Sequence, residues 1–139
     1  MEILIVDDEP LLQEILAAVV RKAFAEAEAL NIIEAHDLDG AFQRVAHHGT
    51  PDLALLDLGL PGQRGLESLQ RFRWKFPHVP VVVVSVTEDP KSIRLALDNG
   101  ARGYMPKTIT ADMMVEALKH VAQGGTYVPP QAEDEPSLQ

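Results

Sequence analysis

The chain contains no cysteine and no long apolar run, and both absences exclude classes of protein. Without cysteine there is no disulfide scaffold, no thiolate zinc site and no thiol nucleophile, a composition that fits a reducing compartment. Residues 1–6 lack the basic segment of a secretory signal, and no run approaches the roughly 18 apolar residues that span a membrane. We therefore expect a soluble, cytoplasmic protein.

Basic residues are also scarce. The 139 residues include 12 Lys and Arg against 21 Asp and Glu, for a net charge of -9, and the basic residues form no cluster along the chain. Such a chain repels nucleic acid and anionic membrane surfaces. We expect one domain that, by itself, binds neither nucleic acid nor membrane.

No glycine-rich loop follows the first apolar run, residues 3–6. That place holds Asp7, Asp8 and Glu9, followed by Pro10, a residue favoured in the first turn of a helix. A nucleotide-binding domain would need glycines there, because its loop must wrap around phosphates. The three acids argue against that class.

Short apolar runs alternate five times with amphipathic helical stripes. This alternation with short connections is typical of a parallel sheet with helices on both faces. Right-handed crossovers favour strand order 2-1-3-4-5, with the short second strand at the edge. The predicted fold class is therefore α/β, a doubly wound, five-stranded parallel sheet with five helices. The predicted strands are residues 3–6, 31–35, 53–57, 79–86 and 103–105, and the helical stripes lie in residues 11–27, 38–49, 66–76, 91–99 and 110–123.

Acidic side chains end two strands that are adjacent in this order: Asp7 and Asp8 end the first strand, and Asp57 ends the third. Clustered carboxylates raise one another's pKa unless a cation lies among them, and oxygen ligands without a caging loop suit Mg²⁺. Ser85 ends the fourth strand and Lys107 follows the fifth. A carboxylate beside Mg²⁺ and a lysine can act as the nucleophile toward a phosphoryl group. The pattern predicts phosphoryl transfer onto Asp57.

Together these pieces resemble the receiver domain of two-component response regulators. The resemblance is carried by Ile-Val-Asp7-Asp8, by Leu-Leu-Asp57-Leu-x-Leu-Pro61, by Ser85, and by the Gly-Tyr-Met-Pro-Lys motif of residues 103–107. It extends over about residues 2–128. We predict a receiver domain over residues 1–128 and an acidic, proline-containing tail or linker over residues 129–139.

The resemblance implies a flavodoxin-like receiver fold and a signalling switch rather than an enzyme. It also implies Mg²⁺ as cofactor, a histidine kinase or a small phosphodonor as partner, and a homodimer on activation. The resemblance implies that Asp57 is the phosphoacceptor and also a Mg²⁺ ligand, together with Asp8, Asp7 (through water) and Gly59 (through its carbonyl). Lys107 would pair with the phosphoryl group, and Ser85 would hydrogen-bond to it. Tyr104 would be the aromatic residue that reorients on activation.

Two positions depart from the usual pattern of that family. Gly59 has no side chain that could screen the phosphoryl group from water, and Leu60 replaces the usual methionine, which conserves volume. Residues 98–107 and 124–129 are more specifically similar to the subgroup that carries a LuxR-type helix-turn-helix. We therefore expect control of transcription through an output domain absent from this chain.

Other interpretations stay open at this point. The chain could be a stand-alone receiver that acts through protein contacts. A Mg²⁺-dependent aspartyl phosphatase would use similar chemistry, but it needs a second acid where Gly59 stands. Asp7 and Asp8 could only cap a helix, Ser85 could satisfy a loop amide, and Tyr104 could simply pack.

Overall fold

The structure is a computed structural model that describes residues 1–59 and 66–133. Within these residues, five parallel strands form one sheet in the order β2-β1-β3-β4-β5, as predicted. All residues of β3 and β4 are buried, which explains their unbroken apolar sequences, whereas β2 alternates between buried and exposed positions as an edge strand does. The strands are β1 (Glu2–Val6), β2 (Asn31–Ala35), β3 (Leu53–Asp57), β4 (Val81–Ser85) and β5 (Gly103–Pro106).

Helices cover both faces of the sheet. One apolar cluster packs α1 and α5 against one face, and a second packs α2, α3 and α4 against the other. The predicted doubly wound α/β fold is therefore confirmed. No helix of the described chain is long and apolar enough to cross a membrane. The helices are α1 (Pro10–Ala23), α2 (Leu38–His48), α3 (Glu67–Lys75), α4 (Pro90–Asp98) and α5 (Ala111–Ala122).

Local signals explain where several helices begin. The Asp37 carboxylate accepts the Gly40 N–H at 2.7 Å and so caps α2, and the Thr110 hydroxyl caps α5 by accepting the Met113 N–H at 3.2 Å. Asp89 occupies the cap position of α4, but its carboxylate accepts the Ser92 hydroxyl at 2.9 Å instead of a backbone N–H.

Two elements, α1 and β4, are shorter than the sequence predicts by more than the one or two residues seen elsewhere. Helix α1 ends at Ala23, although its apolar stripe continues to Ala27, because the chain turns there, with the Ala27 N–H bonded to the Phe24 carbonyl. Strand β4 spans Val81–Ser85 instead of residues 79–86, because Pro80 has no N–H to donate to a ladder and Val86 lies beyond the last residue of β5.

Residues 129–133, the described beginning of the tail predicted over residues 129–139, lie against the domain instead of being solvated. Tyr127 forms a parallel bridge with Gly103, where its N–H donates to the Arg102 carbonyl at 2.9 Å and its carbonyl accepts the Tyr104 N–H at 3.3 Å. A short 3-10 helix, Pro130–Ala132, then packs on α4. Ala132 is only 1% exposed, because it fills space in the core cluster of that face.

We expect Ala132→Asp to lower the free energy of unfolding by about 1 to 2 kcal/mol, since a carboxylate in this core position has no partner. We expect no larger loss of stability, because residues 130–132 can detach from α4 while the rest of the domain stays folded. Urea unfolding measures it, and Ala25→Asp, at an exposed turn, is the matched control. Equal stability of the two variants would show that residues 130–132 do not dock in solution.

Candidate functional site

Strands β1 and β3 bring three carboxylates together. Val6 pairs with Leu56, so the next residue of each strand, Asp7 and Asp57, lies at the same edge of the sheet. Asp7 is 0% exposed and Asp57 is 4% exposed, whereas Asp8 is exposed. One carboxylate oxygen from each of the three lies within 4.8 Å of the others. The predicted convergence of these acids is therefore present.

Asp7 lies in an unfavourable environment for a charge. One oxygen, Oδ1, accepts the Glu9 N–H at 2.8 Å, and the buried Oδ2 has no hydrogen-bond partner among the described residues. Burial raises the pKa of Asp7 from 3.8 to about 6, the Glu9 N–H opposes the rise, and the nearby Asp57 adds to it. Between about pH 4 and pH 6, Asp7 keeps its proton in the folded protein but loses it in the unfolded chain. The free energy of unfolding therefore falls as pH rises through this range.

Asp57 is held by two positively polarised groups. Its Oδ1 accepts the Gly59 N–H at 2.9 Å, and its Oδ2 lies 3.5 Å from the Lys107 ammonium nitrogen. The Lys107 N–H donates to the Ser85 carbonyl at 2.8 Å, which anchors the lysine at the end of β5, and its ammonium lies 3.9 Å from Glu9. Among the described residues, the Lys107 ammonium thus faces the carboxylates of both Asp57 and Glu9.

Gly59 lies beside the Asp57 carboxylate and contributes no side chain there. A Cβ at this glycine would lie 3.4 Å from Oδ1 of Asp57, an ordinary contact distance, so a side chain could stand beside the carboxylate. The neighbouring motif positions Leu60 and Pro61 lie outside the described residues.

Ser85 and Tyr104 meet at the loop that follows β4. The buried Ser85 hydroxyl accepts the Thr87 N–H at 3.3 Å, and the fully buried Tyr104 donates its hydroxyl to the Thr87 carbonyl at 3.0 Å. Burial raises the pKa of Tyr104 above its ordinary value, and a hydrogen bond with the Ser85 side chain opposes the rise. Tyr104 therefore lies inside the fold in this conformation, and its reorientation stays a prediction.

The sequence interpretation missed one buried polar residue next to the acids. Gln13, on α1, donates from its side-chain amide to the backbone carbonyls of Asp7 at 2.8 Å and Ala35 at 2.7 Å. A signal existed, because Gln13 lies three residues before the buried Leu16 and so interrupts the apolar stripe with an amide.

The three carboxylates fit a small, hard divalent cation. Their oxygens are the ligand type that Mg²⁺ prefers, and the unpartnered Oδ2 of Asp7 is a buried acceptor that a cation would satisfy. The ligand set would be Asp7, Asp8 and Asp57, with the Gly59 carbonyl next to them in the chain.

Comparisons with known proteins agree with one another. The family profile of the response regulator receiver domain matches residues 3–119. The chain is 36% identical over 129 residues to the glycerol metabolism activator of Pseudomonas putida, covering 93% of this chain and 57% of that protein. It is 34% identical over 130 residues to the transcriptional regulatory protein DegU of Brevibacillus brevis, covering 94% of this chain and 53% of that protein.

A solved structure agrees in fold and in sequence. A LuxR family DNA-binding response regulator from Silicibacter pomeroyi superposes with a TM-score of 0.76 at 25% identity, covering 93% of this chain and 96% of that one. The chain spans a little more than half the length of the two curated relatives described above. By the match of its sequence and its fold, this chain belongs to the response regulator receiver family.

Proposed function

We propose that this chain is a phosphorylation-controlled switch that accepts one phosphoryl group on Asp57. The proposal rests on what surrounds the buried Asp57 carboxylate. The Lys107 ammonium nitrogen lies 3.5 Å from one of its oxygens, and carboxylate oxygens of Asp7 and Asp8 lie within 4.8 Å, close enough to share a cation. The phosphodonor is a histidine kinase or a small acyl phosphate.

The transfer is a nucleophilic substitution at phosphorus in which Asp57 is the nucleophile. An oxygen of the Asp57 carboxylate attacks the phosphorus, an O–P bond forms, and the bond from phosphorus to the donor breaks, its electron pair leaving with the donor's nitrogen or oxygen. The Lys107 ammonium lies close enough to stabilise the negative oxygens of the transferred group. Mg²⁺, when bound, supplies further positive charge for these oxygens. The buried position of Asp57 restricts competing water.

The phosphoryl group would act on the loop after β4. It brings about two negative charges and three strong acceptors to the end of the sheet. We expect the Ser85 hydroxyl, which now accepts from Thr87, to rotate and donate to a phosphoryl oxygen. Because the Thr87 carbonyl also holds the Tyr104 hydroxyl, a shift of this loop changes the surroundings of Tyr104 and of α4.

The output of the switch is inferred from the relatives. Both curated relatives described above are named as regulators, and each extends well beyond the part that this chain covers. We propose that a transcriptional output domain follows the receiver, and that the receiver signals through protein contacts, a second copy included. The chain's net charge of -9 supports the expectation that the receiver itself does not bind DNA.

Wild-type protein should gain the mass of one phosphoryl group when incubated with acetyl phosphate and Mg²⁺, and none with EDTA. Asp57→Asn should gain none, because the nucleophilic oxygen is replaced by an amide nitrogen. Asp39→Asn, which removes an exposed carboxylate on α2, is the matched control and should be labelled like wild type. Intact-mass spectrometry measures the result, and full labelling of Asp57→Asn would contradict the assignment.

Asp7→Asn should raise the free energy of unfolding in EDTA at pH 7 by about 1 to 3 kcal/mol, because it removes a buried, incompletely bonded charge. In EDTA, the wild-type stability should fall as pH rises from about 4 to about 6, and this slope should be smaller in the variant. Mg²⁺ should also stabilise Asp7→Asn less than it stabilises wild type. Thermal unfolding against pH and Mg²⁺ provides the test, and identical curves for the two proteins would refute it.

Ser85→Ala should still be phosphorylated, yet it should lose the coupling to α4 and α5. With beryllofluoride as the phosphoryl mimic, the NMR shifts of residues 91–123 should change less than in wild type, because no hydroxyl links the loop to the mimic. Ser85→Thr keeps the hydroxyl and should respond like wild type. If Ser85→Ala responded as fully as wild type, the coupling role of Ser85 would be contradicted, and its hydroxyl would serve only to accept the Thr87 N–H.

A further inference from the structure

Gln13 lies inside the fold beside the acidic cluster, but its side chain is not one of the proposed ligands. Its amide nitrogen donates both of its hydrogens, one to the Asp7 carbonyl at 2.8 Å and one to the Ala35 carbonyl at 2.7 Å. The residue is 6% exposed, so water offers these donors no equivalent partner. A buried amide with both donors bound is costly to replace by an apolar group.

The amide extends the sheet where its ladder ends. The register of β1 and β2 stops at Val6 and Ala35, and the last ladder-like bond runs from the Asp7 N–H to the Ala35 carbonyl at 3.0 Å. Gln13 adds the next link, because it binds this same Ala35 carbonyl and the carbonyl of Asp7. The chain is therefore held on both sides of the Asp7 Cα.

The position of Asp8 depends on this link. The carbonyl of Asp7 and the N–H of Asp8 belong to one planar peptide unit, so holding the carbonyl sets the direction in which Asp8 leaves the sheet. Among the described residues, no hydrogen bond or ion pair holds the Asp8 carboxylate, and Asp8 is exposed. Its alignment with Asp7 and Asp57 must then come from the backbone.

We propose that Gln13 is a positioning residue for the cation site: it fixes the peptide between Asp7 and Asp8, so that both carboxylates face Asp57 before any cation arrives. This inference rests on the proposed function, because it assigns Gln13 to the Mg²⁺ site of that switch. Partners that orient metal ligands typically contribute about 10- to 100-fold to metal affinity.

The test uses Gln13→Met, which keeps the length and apolar packing of the side chain and removes both donors. Calorimetric titration with Mg²⁺ should show a dissociation constant about tenfold higher than that of wild type. Phosphorylation by acetyl phosphate should slow at low Mg²⁺ and recover at saturating Mg²⁺, since the chemistry at Asp57 is intact. In EDTA, ¹⁵N relaxation should show increased motion of the Asp8 amide. Gln43→Met, on the exposed face of α2, is the matched control and should behave like wild type in all three measurements.

Gln13→Asn provides a milder variant if Gln13→Met does not fold. It retains the amide but is one methylene too short to reach both carbonyls, so an intermediate Mg²⁺ affinity is expected. A variant that loses thermal stability in EDTA but binds Mg²⁺ as tightly as wild type would overturn the inference, because Gln13 would then only satisfy two buried carbonyls. Failure of the wild-type protein itself to bind Mg²⁺ or to be phosphorylated would instead contradict the proposed function, and the inference with it.

Discussion

Repulsion among the carboxylates at the carboxyl edge of the sheet is the constraint on which the site depends. Asp7, Asp8 and Asp57 have oxygens within 4.8 Å of one another, and the fully buried Asp7 has one oxygen that no residue in the described part of the chain hydrogen-bonds. Such an arrangement is unfavourable by itself, because burial separates Asp7 and Asp57 from water while neighbouring like charges repel one another. The fully packed strands β1 and β3 hold it in place, and Lys107 offsets only part of the charge. A cation bound among these oxygens would relieve the repulsion, which is the electrostatic basis of the proposed Mg²⁺ site.

A short series of hydrogen bonds connects that edge to the far side of the domain. Ser85 and Tyr104 both bind Thr87, and the next residue, Glu88, accepts the Gln131 amide at 2.7 Å. The segment after α5 is thereby joined to the same loop that contacts the site. In the proposed switch, a displacement of this loop would therefore be felt by α4 and by the short helix of residues 130–132 that packs on it. Coupling of this kind needs two discrete loop arrangements, each favoured by a different state of Asp57.

Several local features could be predicted because they follow from short-range patterns. The convergence of the acids was predictable, since apolar runs that end in Asp57 or Ser85 identify buried parallel strands and their edge. Strand order 2-1-3-4-5 was expected only as the commonest arrangement of five such strands with right-handed crossovers. The end of α1 could not be predicted, because the apolar stripe continues past Ala23 although the chain turns there, with the Ala27 N–H bonded to the Phe24 carbonyl. Proline and acid content suggested a solvated tail, but composition does not reveal that Ala132 fits a space on α4.

The sequence by itself determined the fold class and the placement of the candidate site residues at strand ends, because periodicity and strand-ending side chains are properties of neighbouring positions. Tertiary structure alone decided which groups hold those residues in place. Gln13 bonds to Ala35, 22 residues away, and Tyr104 bonds to Thr87, 17 residues away. Both contacts join different elements, and no local pattern encodes a partner across that separation. The same is true of the charge balance at Asp57: among the residues that the structure describes, its close cation is Lys107, which follows a different strand, so this electrostatic contact exists only once the sheet has assembled.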